Sequence, residues 1–313
     1  MWTFMWAACV LLPLLLVMWA AYRYWRFVGR LPKPPRKPAP AKPDVTQWRN
    51  DRVTMTWIGH STVLLNLFGT RIITDPVLGE RVGVYLGARL QVGPKRITAP
   101  ALSPEEIGQL DVILLSHAHF DHLDIPSLRK LDHPQTQVVT AKGTSGLLRR
   151  FRFAQVREVE PYQQVQLRDG VTVTAIPVRH WGNRFPWNFD YGWTGYLIEK
   201  NGVRLLFAGD TAYTPVFAEL RAYGPIDVAF MPIGAYSPDS FQRSHCTPEQ
   251  AWKMFVDSGA TWFAPMHWNT FVLSQEPVHE PLKRLLAAAG PEQHRIVLRR
   301  QGEVFSVLHT RRE

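Results

Sequence analysis

Nine residues, SHAHFDHLD (Ser116–Asp124), constrain this chain more than any other stretch. They follow the apolar run DVILL and crowd three histidines and two aspartates at what reads as the end of a buried strand. Imidazole nitrogens and carboxylate oxygens are ligands for zinc and related divalent ions, with no sulfur required. A strand sets residues i and i+2 on one side, so His117 and His119 are expected to face one metal together. The turn after them is expected to bring Asp121 and His122 round to a second. A solvated polar loop does not account for H-x-H-x-D-H directly behind an apolar strand.

The rest of the chain alternates buried strand-like runs with capped helical segments. RIITDP (71–76), VILLSH (112–117), VTVTAIPVRH (171–180), VRLLFAGD (203–210), DVAFMPIG (227–234) and TWFAPMHW (261–268) read as strands. Helices are expected over TPVFAELRAYG and TPEQAWKMFVDSG, each with Thr as N-cap, Pro in the first turn and Gly as terminator, and over EPLKRLLAAAG. This predicts a layered α/β domain. Several strands end on a metal-capable residue: His117, His180, Asp210 and His267. Strand ends on one rim of a sheet converge, so four ligands can meet without being neighbours in sequence.

The net charge of +10 is unevenly placed. Between Ala21 and Arg52 stand nine Lys or Arg against two Asp, which leaves about +3 for everything else. A near-neutral domain lacks the basic footprint that phosphate tracking along nucleic acid needs. Met1 to Tyr22 carries no charged side chain, and aromatic residues gather towards its two ends. Such a length spans a bilayer, so residues 1–25 are expected to form a transmembrane anchor, with an in-plane helix as the alternative. A cleaved signal peptide fits less well, since no basic n-region precedes the apolar run. The arginines and lysines that follow predict a single pass with the domain on the cytoplasmic side. Residues 26–52, with LPKPPRKPAPAKP, are expected to be a basic Pro-rich linker that acts as a stalk, and 53–313 the catalytic domain. The two cysteines, Cys9 and Cys246, give no disulfide framework.

H-x-H-x-D-H, then a later His, then GD, then a last His resembles the metallo-β-lactamase fold superfamily. The resemblance narrows with TWIGHSTVLL (56–65), TDPV (74–77), GPKR (93–96), RHWGNR (179–184), FAGDTAY (207–213), PIGAY (232–236) and MHWNTF (266–271). Together these look like the N-acylphosphatidylethanolamine-hydrolysing phospholipase D family, over about Val53 to His309. The resemblance implies a four-layer αββα sandwich with a dinuclear site at one edge. One zinc would take His117, His119 and His180, and the other Asp121, His122 and His267. Asp210 would bridge them, and one position could hold another divalent metal. It implies a phosphodiesterase that uses a metal-bridging hydroxide, with Asp121 and Asp210 in the catalytic set. His245 is implied as an active-site histidine that acts on the leaving group or holds a phosphate oxygen. His60 and Asp75 are expected to orient ligands. The substrate would be a membrane phospholipid. A lactone, a cyclic phosphodiester, or a non-catalytic scaffold role stand as alternatives, because fold does not fix substrate.

Overall fold

In the computed structural model, which describes residues 2–307 apart from 87–89, 186 and 188, the buried runs form strands. They are β1 (Val53–Gly59), β2 (Thr62–Leu67), β3 (Thr70–Thr74), β4 (Val84–Leu86), β5 (Leu90–Val92), β6 (Val112–Leu115), β7 (Gln137–Ala141) and β8 (Gln155–Val159). Then come β9 (Gln164–Gln166), β10 (Thr172–Ile176), β11 (Gly195–Lys200), β12 (Val203–Phe207), β13 (Val228–Pro232), β14 (Trp262–Met266) and β15 (Val304–Val307). The α-helices are α1 (Trp2–Gly29), α2 (Pro104–Ile107), α3 (Ile125–Lys130), α4 (Pro248–Ser258) and α5 (Glu280–Ala289).

Two sheets face each other. One has the order β15-β1-β2-β3-β6-β7-β8 and the other β14-β13-β12-β11-β10-β9, with β4-β5 as a separate hairpin. The period-two alternation of strand side chains sorts the core. Leu65, Ile72, Leu114 and Val139 point to the space between the sheets, where they meet Val173, Tyr196, Leu205 and Phe207. Their neighbours Leu64, Ile73, Ile113 and Val138 point outward onto Ile107 of α2 and Leu128 of α3. On the far side α4 covers β13 and packs against α5. The four-layer helix–sheet–sheet–helix order is therefore present.

Strand direction decides where the loops go. β3, β6, β7 and β8 run parallel, and β1 runs parallel to β3 because both are antiparallel to β2. β12, β13 and β14 run parallel, and β10 shares their direction because both β10 and β12 are antiparallel to β11. The C-terminal ends of β1, β3 and β6 thus share one edge of the first sheet, and those of β10, β12, β13 and β14 share one edge of the second. The two edges are joined by main-chain bonds, Thr194 N–H to Ser116 O at 3.0 Å and His267 N–H to His60 O at 2.9 Å.

The helix caps read from the sequence are present at α4: Thr247 and Gln250 form a capping box and Gly259 closes the helix in the left-handed region. The segment Pro215–Tyr223 keeps its Thr214 cap but is a 3₁₀ helix. Its buried residues, Phe217 and Leu220, lie three apart, which suits three residues per turn.

The N-terminal expectation needs correction. Among the described residues no helix is long and apolar enough to cross a membrane. The chain does form one helix there, but it runs to Gly29, and the side chains of residues 1–11 lie outside the described residues. Nor is the Pro-rich segment a free stalk. Proline has no N–H, but the residues between the prolines do, and they strap the segment to the domain. Lys37 N–H donates to Ile97 O at 2.7 Å, Ala99 N–H to Lys37 O at 2.9 Å, and Ala41 N–H to Gln301 O at 3.2 Å. Residues 308–313, at the end of the expected domain, lie outside the described residues.

Candidate metal centre

Every histidine and aspartate singled out in the sequence lies just beyond the C-terminal end of one of these strands or in the loop behind it. His60 follows β1, Asp75 follows β3, the H-x-H-x-D-H segment follows β6, His180 follows β10, Asp210 follows β12 and His267 follows β14. The strands end earlier than the apolar runs suggest: at Leu115, Ile176, Phe207 and Met266. His117 and His119 are therefore not two rungs of one strand. They sit in a turn closed by His119 O, which accepts from His122 N–H at 3.1 Å and Leu123 N–H at 2.9 Å. That turn returns Asp121 and His122 to the edge.

The side chains converge. His117 Nε2 lies 2.9 Å from His119 Nδ1, and His180 Nε2 lies 3.3 Å from the same atom. Asp210 Oδ2 stands 3.0 Å from His267 Nε2, 3.1 Å from His122 Nε2, and 3.8 Å from both His180 Nε2 and His245 Nδ1. Asp121 Oδ2 is 3.6 Å from His267 Nε2 and 3.7 Å from His122 Nε2. Two of the resulting groups, His117–His119–His180 and His60–Asp121–His122–His267, each bring their donor atoms within 4.8 Å of one another. His60, expected only to orient ligands, thus stands at ligand distance, although its Nε2 is engaged with Asp121 Oδ2 at 2.9 Å.

Outer partners fix the rings. Asp75 is fully buried and takes His122 Nδ1 at 2.7 Å, Ser116 N–H at 2.7 Å and Ser116 Oγ–H at 2.5 Å. Ser116 Oγ lies 2.9 Å from His117 Nδ1, and His180 Nδ1 donates to Ser244 O at 2.8 Å. A ring that donates from Nδ1 turns a lone pair inward on Nε2, as a metal ligand must. Ser116 and Ser244 were not singled out in the sequence. Ser116 could have been found as the residue heading the motif, but Ser244 acts through its main-chain carbonyl and leaves no side-chain signal.

Three of the residues singled out in the sequence hold positive φ: His60 at 55°, Asp75 at 34° and His267 at 61°. Such conformations cost energy and persist where the surroundings dictate them. His60 is pinned by Trp57 Nε1–H on its carbonyl at 2.7 Å and by Thr270 Oγ1 on its N–H at 2.8 Å. Behind His267, a side chain at Gly234 would stand 2.3 Å from the His267 carbonyl, so the PIGAY turn approaches as only glycine allows.

The electrostatics ask for cations. Burial alone would raise the pKa of Asp121 and Asp210, but the facing histidines hold both well below the usual carboxylate range. Burial opposes charge on His122 and His267 as well. Asp210 and Asp121 outweigh it, holding His122 well above its ordinary value and His267 at about 9. Burial wins at His60, His119 and His245, each pushed down to about 3, and it also lowers His117 and His180. Among the described residues, buried polar atoms without a hydrogen-bond partner collect at the centre: His119 Nε2, His122 Nε2, His267 Nε2, Asp210 Oδ1 and His245 Nδ1. Buried orphans of this kind are costly unless a ligand satisfies them. Imidazoles with inward lone pairs around two carboxylates fit divalent cations.

A cavity of about 340 Å³ opens over this cluster. His119, Asp121, Asp210 and His245 line it, and Val82, Phe120, Trp181, Phe241 and Leu273 give it an apolar wall.

The chain and its fold have relatives. Residues 70–268 match the family described as the Beta-lactamase superfamily domain. An uncharacterized protein of Mycobacterium tuberculosis is 35% identical over 276 residues, covering 86% of this chain and 73% of that protein. The N-acyl-phosphatidylethanolamine-hydrolyzing phospholipase D 1 of Caenorhabditis elegans is 30% identical over 245 residues, covering 74% of this chain and 68% of that protein. The crystal structure of a possible metal-dependent hydrolase from Veillonella parvula superposes with a TM-score of 0.67 at 16% identity, covering 82% of this chain and all of that one.

Proposed function

Because the chain belongs to the β-lactamase superfamily, we propose that this metal-dependent hydrolase of metallo-β-lactamase fold is a lipid phosphodiesterase of phospholipase D type. Its substrate on this reading is N-acylphosphatidylethanolamine. Water oxygen bonds to phosphorus and the phosphorus–oxygen bond to the N-acylethanolamine breaks. The proton released ends on that alcohol, and phosphatidic acid remains.

The observation that carries the reading is the cavity, which sets an apolar wall directly over the histidine–aspartate cluster. That is the shape of an amphiphile whose reacting group is polar. The worm phospholipase D relative, similar over 74% of this chain, supports the same substrate class. His117, His119 and His180 would hold one zinc, Asp121, His122 and His267 a second, and Asp210 would lie between them. Divalent cations bound there supply Lewis acidity for a phosphoryl oxygen and lower the pKa of water. Asp75 and Ser116 keep His117 and His122 in the ligating tautomer, and Ser244 does so for His180. His245 lines the cavity and would donate a hydrogen bond to a substrate oxygen. Lipid contact is assigned to α1, which exposes Leu15, Val17, Met18, Trp19 and Tyr22 ahead of Arg23, Arg26 and Arg30. Apolar side chains beside a basic flank suit an anionic leaflet.

The test is direct. Zinc-loaded full-length protein incubated with vesicles containing N-acylphosphatidylethanolamine should release N-acylethanolamine, identified by mass spectrometry. Turnover of a soluble lactone or neutral ester, with none of the vesicle lipid, refutes the proposal.

A further inference from the structure

Arg184 has no part in the ligand set, yet it lines the same cavity as His119, Asp121, Asp210 and His245. Its guanidinium is held in one orientation. Nη1 donates to Ala118 O at 2.8 Å and to Leu123 O at 2.8 Å, the carbonyls at the two ends of the H-x-H-x-D-H turn. Its Cζ lies 4.0 Å above the Phe120 ring centroid. That ring is met edge-on by Phe185 at 5.5 Å. A guanidinium fixed on one nitrogen and one face still has donors at Nε and Nη2. Among the described residues those donors have no acceptor, and no carboxylate lies within ion-pair distance of the group.

This is an unusual place for a cation. Burial pulls the Arg184 pKa down to about 10, and Asp124, the largest favourable charge, is turned to Ser127 at the head of α3. The guanidinium remains charged at neutral pH, beside a cluster that on the reading above already holds two divalent cations. A partly buried cation with spare planar donors, facing a cavity, is matched by an anion with more than one oxygen. A neutral ester or lactone offers it nothing comparable.

We propose that Arg184 is a specificity-determining residue that reads the negative charge of the substrate phosphate, selecting phosphodiesters over neutral esters. The inference rests on the phosphodiesterase reading but is tested separately from it. The experiment titrates inorganic phosphate into zinc-loaded, full-length protein by calorimetry, for the wild type, Arg184→Gln and Arg184→Lys. Bound zinc is measured in each. Arg184→Gln should weaken phosphate binding about 10- to 100-fold, the range for one charge-assisted contact. Zinc content should stay at the wild-type level. Arg184→Lys should fall between the two, since it keeps the charge but loses the planar fork. The ratio of phosphodiester to neutral-ester kcat/KM should drop with the phosphate affinity. Phosphate affinity unchanged in Arg184→Gln overturns the inference, as does a wild type that binds no phosphate. Loss of zinc in step with phosphate overturns it too, because Arg184 would then only staple the ligand turn. A wild type that binds phosphate through Arg184 but leaves N-acylphosphatidylethanolamine intact refutes the substrate reading and leaves this one standing.

Discussion

Replacing Asp75 by Asn changes one oxygen to an NH₂ group and almost no volume, yet it should disable two of the proposed ligands at once. The carboxylate accepts from His122 Nδ1 at 2.7 Å and from Ser116 Oγ at 2.5 Å through the same oxygen, Oδ2. Because Ser116 spends its hydrogen there, its oxygen is free to accept from His117 Nδ1 at 2.9 Å. With a metal bound, both rings would thus carry their one proton on Nδ1 and turn a lone pair inward. The other oxygen, Oδ1, is held by Ser116 N–H at 2.7 Å, so the introduced amide should keep its carbonyl at that position and its NH₂ at the other. Neither His122 Nδ1–H nor the Ser116 hydroxyl hydrogen can face an NH₂. His122 must move its proton to Nε2. Ser116 must rotate and donate to His117, which pushes that ring's proton to Nε2 as well. Two N–H groups then point where two lone pairs stood. Losing one outer partner of a ligand costs about 10- to 100-fold in metal affinity. Two coupled rings should cost about 100- to 1,000-fold, or about 3–4 kcal/mol. Competition against a calibrated zinc chelator measures it, with circular dichroism as a check on folding. Asp75→Asn protein that is folded and binds zinc within a factor of three of wild type, a range of about 0.7 kcal/mol, refutes the tautomer argument.

Two further outcomes follow from the structure. Removing residues 1–25 takes away most of the exposed apolar side chains of α1 but keeps Phe27, whose ring packs 5.7 Å from that of the cavity-lining Phe241. Removing residues 1–30 takes both. Each truncation should leave the membrane fraction on sedimentation, and only the longer one should alter turnover of detergent-dispersed substrate; retention of both proteins on the membrane refutes the lipid role of α1. Burial, with Asp210 adding to it, lifts the Cys246 thiol well above its ordinary pKa, so little thiolate forms at mildly alkaline pH. In a Cys9→Ser background an aromatic disulfide reagent should therefore label Cys246 only after denaturation, and rapid labelling of the native protein refutes this.

Much of the site can be read along the chain. H-x-H-x-D-H announces metal chemistry within six residues, and His180, Asp210 and His267 each follow an apolar run. His60 and Asp75 are visible as residues near strand ends, but the contacts that define their work are not. The 2.9 Å link from His60 to Asp121 joins residues 61 apart, and that from Asp75 to Ser116 joins residues 41 apart. Arg184 reads as one more polar residue in an aromatic loop. Only its two bonds to the ligand turn and its place in the cavity distinguish it. The N-terminal segment divides in the same way. An uncharged run predicts a helix from local composition, and a helix forms, but the strap from Lys37 to Ala41 depends on partners at Ile97, Ala99 and Gln301.

What the sequence determined by itself was local. The apolar runs set the strands, Thr, Pro and Gly set the bounds of α4, and the donor types set the class of metal. Tertiary structure decided direction and company. Whether a buried run lies parallel or antiparallel to its neighbour depends on its ladder partners and not on its own residues. That choice put the C-terminal ends of β1, β3, β6, β10, β12 and β14 along two adjoining edges. Had one of those strands run the other way, its histidine or aspartate would stand at the far end of the sheet, with the same sequence around it and no metal to hold.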